Sequence, residues 1–378
     1  MMTQQRPWWS NDKTKSMAWL GLFLPGLSCY AYFLSLHLNQ YPEVEGSQVE
    51  KFSFKLDKII PVDAKVEMIA DGFDFTDGTE WVHDEEVNRG YLIFSDISNN
   101  RIWKWEEGGG MFTLGKSLYL DSSGCRGDFC SKLHAPGSNG LLLVQGSEEV
   151  LICEHGNRRV TRMEKNGTRT VLATHYKGRR LNSPSDMAFS KRGDLYFTDP
   201  PHGLQQMLDD PEYLGWSGVY RIAKEALEAA QADATVVPEP ELVAHDVSWP
   251  TGLAFSPDSS KLYLADSSPE SPAWYVYDVS EDGSLSDGRV FLDAKDLQKD
   301  GRVGLPGGIR VDEEGNIFTA APGGVAIVSA DGSHLGTING GGAPIVDVEV
   351  GGDGHLYMAA LHAIMRIKVS ASSAERQK

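Results

Sequence analysis

Residues 195–199 read LYFTD: a short apolar run of aromatic and branched side chains that follows a Gly-Asp turn and ends on an acidic residue. The same pattern returns at 91–96 (YLIFSD), 150–155 (VLICEH), 262–266 (LYLAD), 317–321 (IFTAA) and 356–360 (LYMAA). Six copies at irregular spacings of roughly 40 to 65 residues fit propeller blades joined by loops of variable length. A second short strand precedes each copy, starting 15 to 17 residues before that motif ends, at 79–81, 138–140, 184–186, 250–252, 306–308 and 344–346. So constant an interval implies paired neighbours joined by a hairpin. Turn tracts at 191–194 (KRGD), 257–260 (PDSS) and 312–315 (DEEG) supply the loops. Further strands are read at 101–105, 219–222, 274–277 and 364–367. The expectation is an all-β chain, a six-bladed β-propeller over residues 46–370 with a polar tail at 371–378. Residues 49–56 have no blade of their own and are expected to close the ring against the last one. Only 222–233 reads as helix, and helices do not alternate with strands, which disfavours a doubly wound α/β fold.

The composition sets limits on partners. The chain has 378 residues with 35 basic and 53 acidic side chains, a net charge of −18, so nucleic acid is an unsuitable partner. Hydrophobic residues make up 41%, ample for a large core. Residues 17–38 carry no Asp, Glu, Lys or Arg, and such a run spans roughly 30 Å as a helix, about one bilayer core. Arg6, Lys13 and Lys15 precede it, so residues 1–45 are expected to be a cytoplasmic n-region and signal-anchor helix, placing the rest in the secretory lumen or outside the cell. A signal peptide cut after Ser28 is the alternative. In that compartment Asn166, in 166–168 (NGT), is a glycosylation acceptor, and Cys125 and Cys130 could pair.

Five stretches resemble the SMP-30/gluconolactonase family: 153–160 (CEHGNRRV), 180–186 (RLNSPSD), 194–203 (DLYFTDPPHG), 218–221 (GVYR) and 250–258 (PTGLAFSPD). The resemblance spans about 65–370 and implies a six-bladed propeller. It also implies a divalent cation, usually calcium, held by the first residues of the inner strands. In the family pattern Glu80 is retained, whereas Ser185 and Thr251 stand where asparagines are expected and Gly307 where an aspartate is. A hard cation seeks six to eight oxygens, so this set predicts no tight metal site and no cofactor.

Two kinds of chemistry follow from the resemblance. The leading expectation is a metal-independent tailoring enzyme of secondary metabolism, similar to fungal hetero-Diels–Alderases that join a tropolone quinone methide to a terpene. The alternative is a lactone hydrolase with a degenerate cation site, and a non-catalytic binding propeller comes third. A cycloaddition needs a near-attack pose and a hydrogen-bond donor to the electron-poor partner, hence an apolar pocket for small hydrophobic substrates with a few polar groups. Thr251, His155, Trp249, Ser185 and Glu80 are the expected catalytic set. Trp81, Asn139, Gly307, Ile345, His202 and Trp216 are the expected substrate contacts, the last two on a loop at 199–218 long enough to cover the site. Asp186 and Asp199 are expected to brace turns.

Overall fold

A computed structural model describes residues 41–84, 89–108, 115–144, 146–298 and 301–370. The expected anchor at 17–38 and the tail at 371–378 lie outside the described residues. Among the described residues no helix is long and apolar enough to cross a membrane. Every copy of the repeat falls in a strand, and each is paired antiparallel with the strand before it, as the constant interval requires. The fold is an all-β propeller.

Three sheets have four strands each. Leu141–Leu143, Val150–Glu154, Arg159–Met163 and Arg169–Ala173 make the first. Met187–Phe189, Leu195–Asp199, Gly218–Ile222 and Glu241–Ala244 make the second. Pro250–Phe255, Lys261–Asp266, Ala273–Val279 and Leu285–Asp293 make the third. A fourth holds Ile309–Val311, Ile317–Ala321, Gly324–Val328 and His334–Asn339, with Gln48–Lys51 added at its edge. The early segment therefore extends the fifth repeat's sheet and does not close the ring against the last, and residues 54–58 form a 3-10 turn.

The expected six separate blades appear as five sheets of four or more strands, and the difference lies at ring closure. Asp347–Gly351, His355–Lys368, Val66–Asp84, Arg89–Asp96, Arg101–Trp105 and Lys116–Asp121 form one continuous six-stranded sheet. Val66–Asp84 pairs at its start with the end of His355–Lys368 and at its end with Arg89–Asp96, welding the strands of the first and last repeats together. His355–Lys368 itself doubles back: Val369 N donates to Gly354 O at 2.9 Å, ends that a straight strand would hold about 50 Å apart. The reversal falls at Leu361, with φ of 53°. Residues 41–45, placed with the anchor by the sequence, instead pack on this sheet, with Tyr41 and Val44 buried and Val44 N bonded to Val66 O.

The first strands of the six repeats lie side by side around the axis, and their joints are made by backbone. A Cβ on Gly78 would lie 2.1 Å from Asn139 O, on Gly140 2.5 Å from Ser185 O, on Gly252 2.2 Å from Gly307 O, and on Gly307 2.2 Å from Val346 O. Gly140 N donates to Ser185 O at 2.6 Å and Gly308 N to Val346 O at 2.9 Å. At two joints a side chain spans the gap: Asp186 Oδ2 accepts from Leu253 N at 3.3 Å, and Asp347 Oδ2 accepts from Thr79 N at 2.6 Å and Thr79 Oγ1 at 2.8 Å.

Apolar faces of adjacent sheets fill the spaces outside this ring. Phe318, Val325, Ile327, Val348, Leu356 and Met358 form one such layer, each buried side chain contributing about 1.5–3 kcal/mol. The helix expected at 222–233 is Lys224–Ala232, a surface insertion whose Ala230 packs against Leu172 and Ile222 in the core. Cys125 and Cys130 form a disulfide with Cα atoms 5.6 Å apart, Cys153 is a buried free thiol, and Asn166 sits exposed in a hairpin turn with its Oδ1 accepting from Thr168 N.

Because the joints leave no room for a Cβ, Gly252→Ala should destabilise the chain by about 1–3 kcal/mol in chemical denaturation. A loss below about 0.5 kcal/mol would show that the strands do not meet there.

Candidate active site

The ring of first strands encloses a cavity of about 580 Å³, within the range of small-molecule sites. Two consecutive residues from each first strand line it: Asp77 and Gly78, Asn139 and Gly140, Ser185 and Asp186, Thr251 and Gly252, Gly307 and Gly308, Val346 and Asp347. Both members of each pair line the cavity, and the second also makes a joint with the neighbouring strand, as Gly307 does at its own position. Phe75, Ile97, Val303, Leu305, Ile345 and Leu361 supply apolar walls.

Of the expected site residues, His155, Ser185, Thr251, Asn139, Gly307, Ile345 and His202 line this cavity together. Glu80 does not. Gly78, at φ of 55°, and a bulge between Asp77 and Glu80 break the alternation of that strand, so Asp77 presents the cavity carboxyl. Glu80 is buried 3.9 Å from the Arg310 guanidinium. Trp81 is also corrected: it is a core residue stacked on Tyr357 at 5.4 Å, with Gly90 and Gly351 pressed against its indole. Trp249 is not among the residues that line the cavity and meets the lining His202 edge to face at 5.0 Å. Trp216 packs against Tyr176 and donates from Nε1 to Tyr220 Oη at 3.1 Å, away from the cavity. The 199–218 loop is fastened: Arg158 pairs with Glu212, Arg179 donates to Leu214 O and Tyr213 O, and Leu214 N bonds Asn182 Oδ1 at 2.9 Å.

Asp77, Asp347, Arg310 and His134 were not singled out from sequence. The signal for Asp77 was the Asp-Gly pair itself, which matches Asn139-Gly140 and Thr251-Gly252 in register, whereas Glu80 lies three residues on. Asp186 was expected only to brace a turn, yet it reaches both Leu253 N and the cavity. Asp199 does brace its loop, accepting from Asn182 N and Ser183 N at 2.7 Å each.

Enclosure in the low-dielectric wall dominates the charge states here. It pushes Asp77 well above the usual carboxylate range, with Asp347 and Asp186 adding to the rise against the Gly78 N–H bond. Enclosure also pushes Asp186 up to about 7, against the opposing pull of Arg310. Because these carboxyls interact, their protons belong to the set. Burial lowers His155 to about 4, offset in part by the bond to Pro184 O, and lowers His202 to about 3, so both imidazoles are neutral at pH 7. His155 Nδ1 lies 3.2 Å from Pro184 O. A carbonyl only accepts, so Nδ1 carries the proton and Nε2 keeps a lone pair.

The oxygen set does not fit a tightly held divalent cation. Ser185 Oγ takes a bond from Asn139 Nδ2 at 3.2 Å, Thr251 Oγ1 lies at 3.5 Å from both Ala265 O and Pro306 O, and Gly307 has neither a side chain nor room for one. Among the described residues no group of three His, Cys, Asp or Glu is placed to hold a metal.

The family described as the SMP-30/Gluconolactonase/LRE-like region matches residues 75–362. A gluconolactonase of Zymomonas mobilis subsp. mobilis is 34% identical over 328 residues, covering 85% of this chain and 86% of the relative. Together these show that the chain belongs to the SMP-30/gluconolactonase family. Among solved structures, a gluconolactonase from Xanthomonas campestris superposes with a TM-score of 0.69 at 24% identity, covering 87% of this chain and 97% of that one. Regucalcin, a calcium-binding protein from Agrobacterium tumefaciens, superposes with a TM-score of 0.55 at 15% identity, covering 82% and 96%. Both share the fold.

Nitrogen-15 NMR of the histidines tests the site's electrostatics. His155 should show the Nδ1–H tautomer and stay neutral from pH 8 to about 5; titration near 6.5, the ordinary histidine value, would place it in water instead.

Proposed function

We propose that this chain is an enzyme that hydrolyses cyclic esters of apolar character, using its cavity aspartates as the acid–base groups. The observation that carries the reading is the convergence of Asp77, Asp186 and Asp347, from three different first strands, on a cavity with otherwise largely apolar walls. The gluconolactonase relatives support the reaction class, and the apolar walls support substrates less polar than a sugar lactone.

In the proposed step the Asp186 carboxylate takes a proton from water as the water oxygen bonds to the lactone carbonyl carbon. The carbonyl π pair, pushed onto its oxygen by that addition, re-forms the C=O as the ring C–O bond breaks; the ring oxygen takes the proton held by Asp77, and the proton gained by Asp186 returns to Asp77 through water. The product is the open hydroxy acid, with one water consumed. Asn139 and neutral His155 are positioned on the wall to orient the ester. Proton transfer of this kind contributes typically 10²–10⁴-fold.

Purified full-length chain tested against a panel running from gluconolactone to alkyl δ-lactones and dihydrocoumarin should favour the apolar members. Activity should rise with pH through an apparent value of about 7, since the base must lose its proton. Asp77→Asn should lower kcat/KM by roughly 10²-fold or more with its circular dichroism unchanged. No turnover of any lactone, or an Asp77→Asn variant within about threefold of the parent, would defeat the proposal.

A second reading, the cycloaddition expected from sequence, rests on the same apolar walls and on the protonated carboxyl as a hydrogen-bond donor. It consumes no water, so incorporation of ¹⁸O from labelled water into product separates it from hydrolysis. We also propose that the propeller faces the secretory lumen. The Cys125–Cys130 disulfide and exposed Asn166 suit that compartment, and a glycosidase-sensitive mobility shift abolished by Asn166→Gln would support it.

A further inference from the structure

We infer that Arg310 is the built-in cation of this propeller, occupying electrostatically the role that a bound divalent ion would otherwise fill, and that its guanidinium staples the ring where the first and last repeats meet. Arg310 lies on Ile309–Val311, the first strand of the fifth repeat. Its Nε donates to Glu349 Oε2 at 2.6 Å, on the first strand of the sixth. Its Nη2 donates to Thr79 O at 3.1 Å, on the first strand of the first repeat, and lies 3.9 Å from Glu80 there. Its Nη1 is held by Ile309 O at 2.8 Å. Thr79, in turn, gives both its N–H and its hydroxyl to Asp347. One planar group thus joins three successive strands at the point where the first and last repeats are brought together, a task that suits a fixed fork of donors.

The charge balance points the same way. Glu349, Glu80 and Asp347 are 1%, 3% and 3% exposed, and Asp77 and Asp186 stand in the adjacent cavity wall. Burial works against the charge on Arg310; Asp347, Asp186, Glu80 and Asp77 all favour it, and Glu349 pairs with it directly at 2.6 Å. Buried carboxylates require a partner charge, and removing that partner strands them. Ser185, Thr251 and Gly307 stand where the family pattern expects two asparagines and an aspartate, and a cation carried by the chain meets the need of the buried carboxylates without any ion from solvent.

The inference stands independently of any reaction, because its readouts are stability and metal content. Full-length chain, Arg310→Lys and Arg310→Met would be melted in EDTA and in calcium from micromolar to 10 mM, and their bound calcium counted by elemental analysis after equilibrium dialysis. The parent Tm should stay within about 1 °C throughout, with no stoichiometric calcium. Arg310→Met should melt roughly 5–15 °C lower in EDTA and regain part of that loss in calcium, while Arg310→Lys, which keeps the charge but not the fork, should fall between. One calcium per parent chain, a parent Tm that climbs by several degrees in calcium, or an Arg310→Met variant as stable as the parent would overturn the inference. If Arg310→Met yields no soluble protein, the parent's calcium titration and the Arg310→Lys melting curve decide it.

Discussion

The close approach of neighbouring first strands around the axis is the constraint on which the rest of the molecule depends. At Gly78, Gly140, Gly252 and Gly307 one backbone lies directly on the next, with hydrogen bonds such as Gly140 N to Ser185 O drawing them together. A tight inner ring sets the width of the cavity and decides which residues face it. It also explains why Gly307 cannot be regarded as a shortened ligand: the contact with Val346 O fills the space a longer side chain would need. Where the pair ends in aspartate, at Asp186 and Asp347, a carboxylate makes the joint and so brings negative charge to the cavity edge.

That coupling of architecture to charge gives the site its character. A carboxylate used as a structural clasp must be desolvated, and desolvation raises Asp186 to about 7 and holds its neighbour Asp77 well above the usual carboxylate range. The net charge of −18 is largely a property of the solvated surface, but the cavity has an acidic cluster of its own, balanced by the chain's own guanidinium at Arg310. The surrounding walls remain largely apolar, so the cavity is polar at only a few points, the aspartates among them.

Much of this was legible in the sequence because the repeat is periodic. The six strand pairs, the Lys224–Ala232 helix and seven of the cavity-lining residues follow from spacing, turn chemistry and resemblance. What was not legible depended on a bulge or on partners distant in sequence. The family resemblance points to Glu80 as the channel carboxylate, and the break in that strand at Gly78, which leaves no mark in an apolar pattern, puts Asp77 there instead. Trp81 and Trp216 look like rim aromatics until Tyr357 and Tyr220 are seen beside them. The fusion of the first and last repeats through Val66–Asp84, and the reach of Arg310 to Glu349 and Thr79, join positions far apart in the chain that no local motif connects.

We propose that a cyclic ester is held and opened at the aspartate-bearing wall of the axial cavity. A crystal structure of the full-length chain with a slowly reacting lactam analogue of an alkyl δ-lactone tests it most directly. The ring should lie inside the cavity against Phe75, Ile97 and Ile345, with its carbonyl or ring heteroatom within about 3 Å of an Asp77 or Asp186 oxygen. A ligand bound elsewhere, or seated in the cavity with its reacting atoms turned away from all three aspartates, would contradict it.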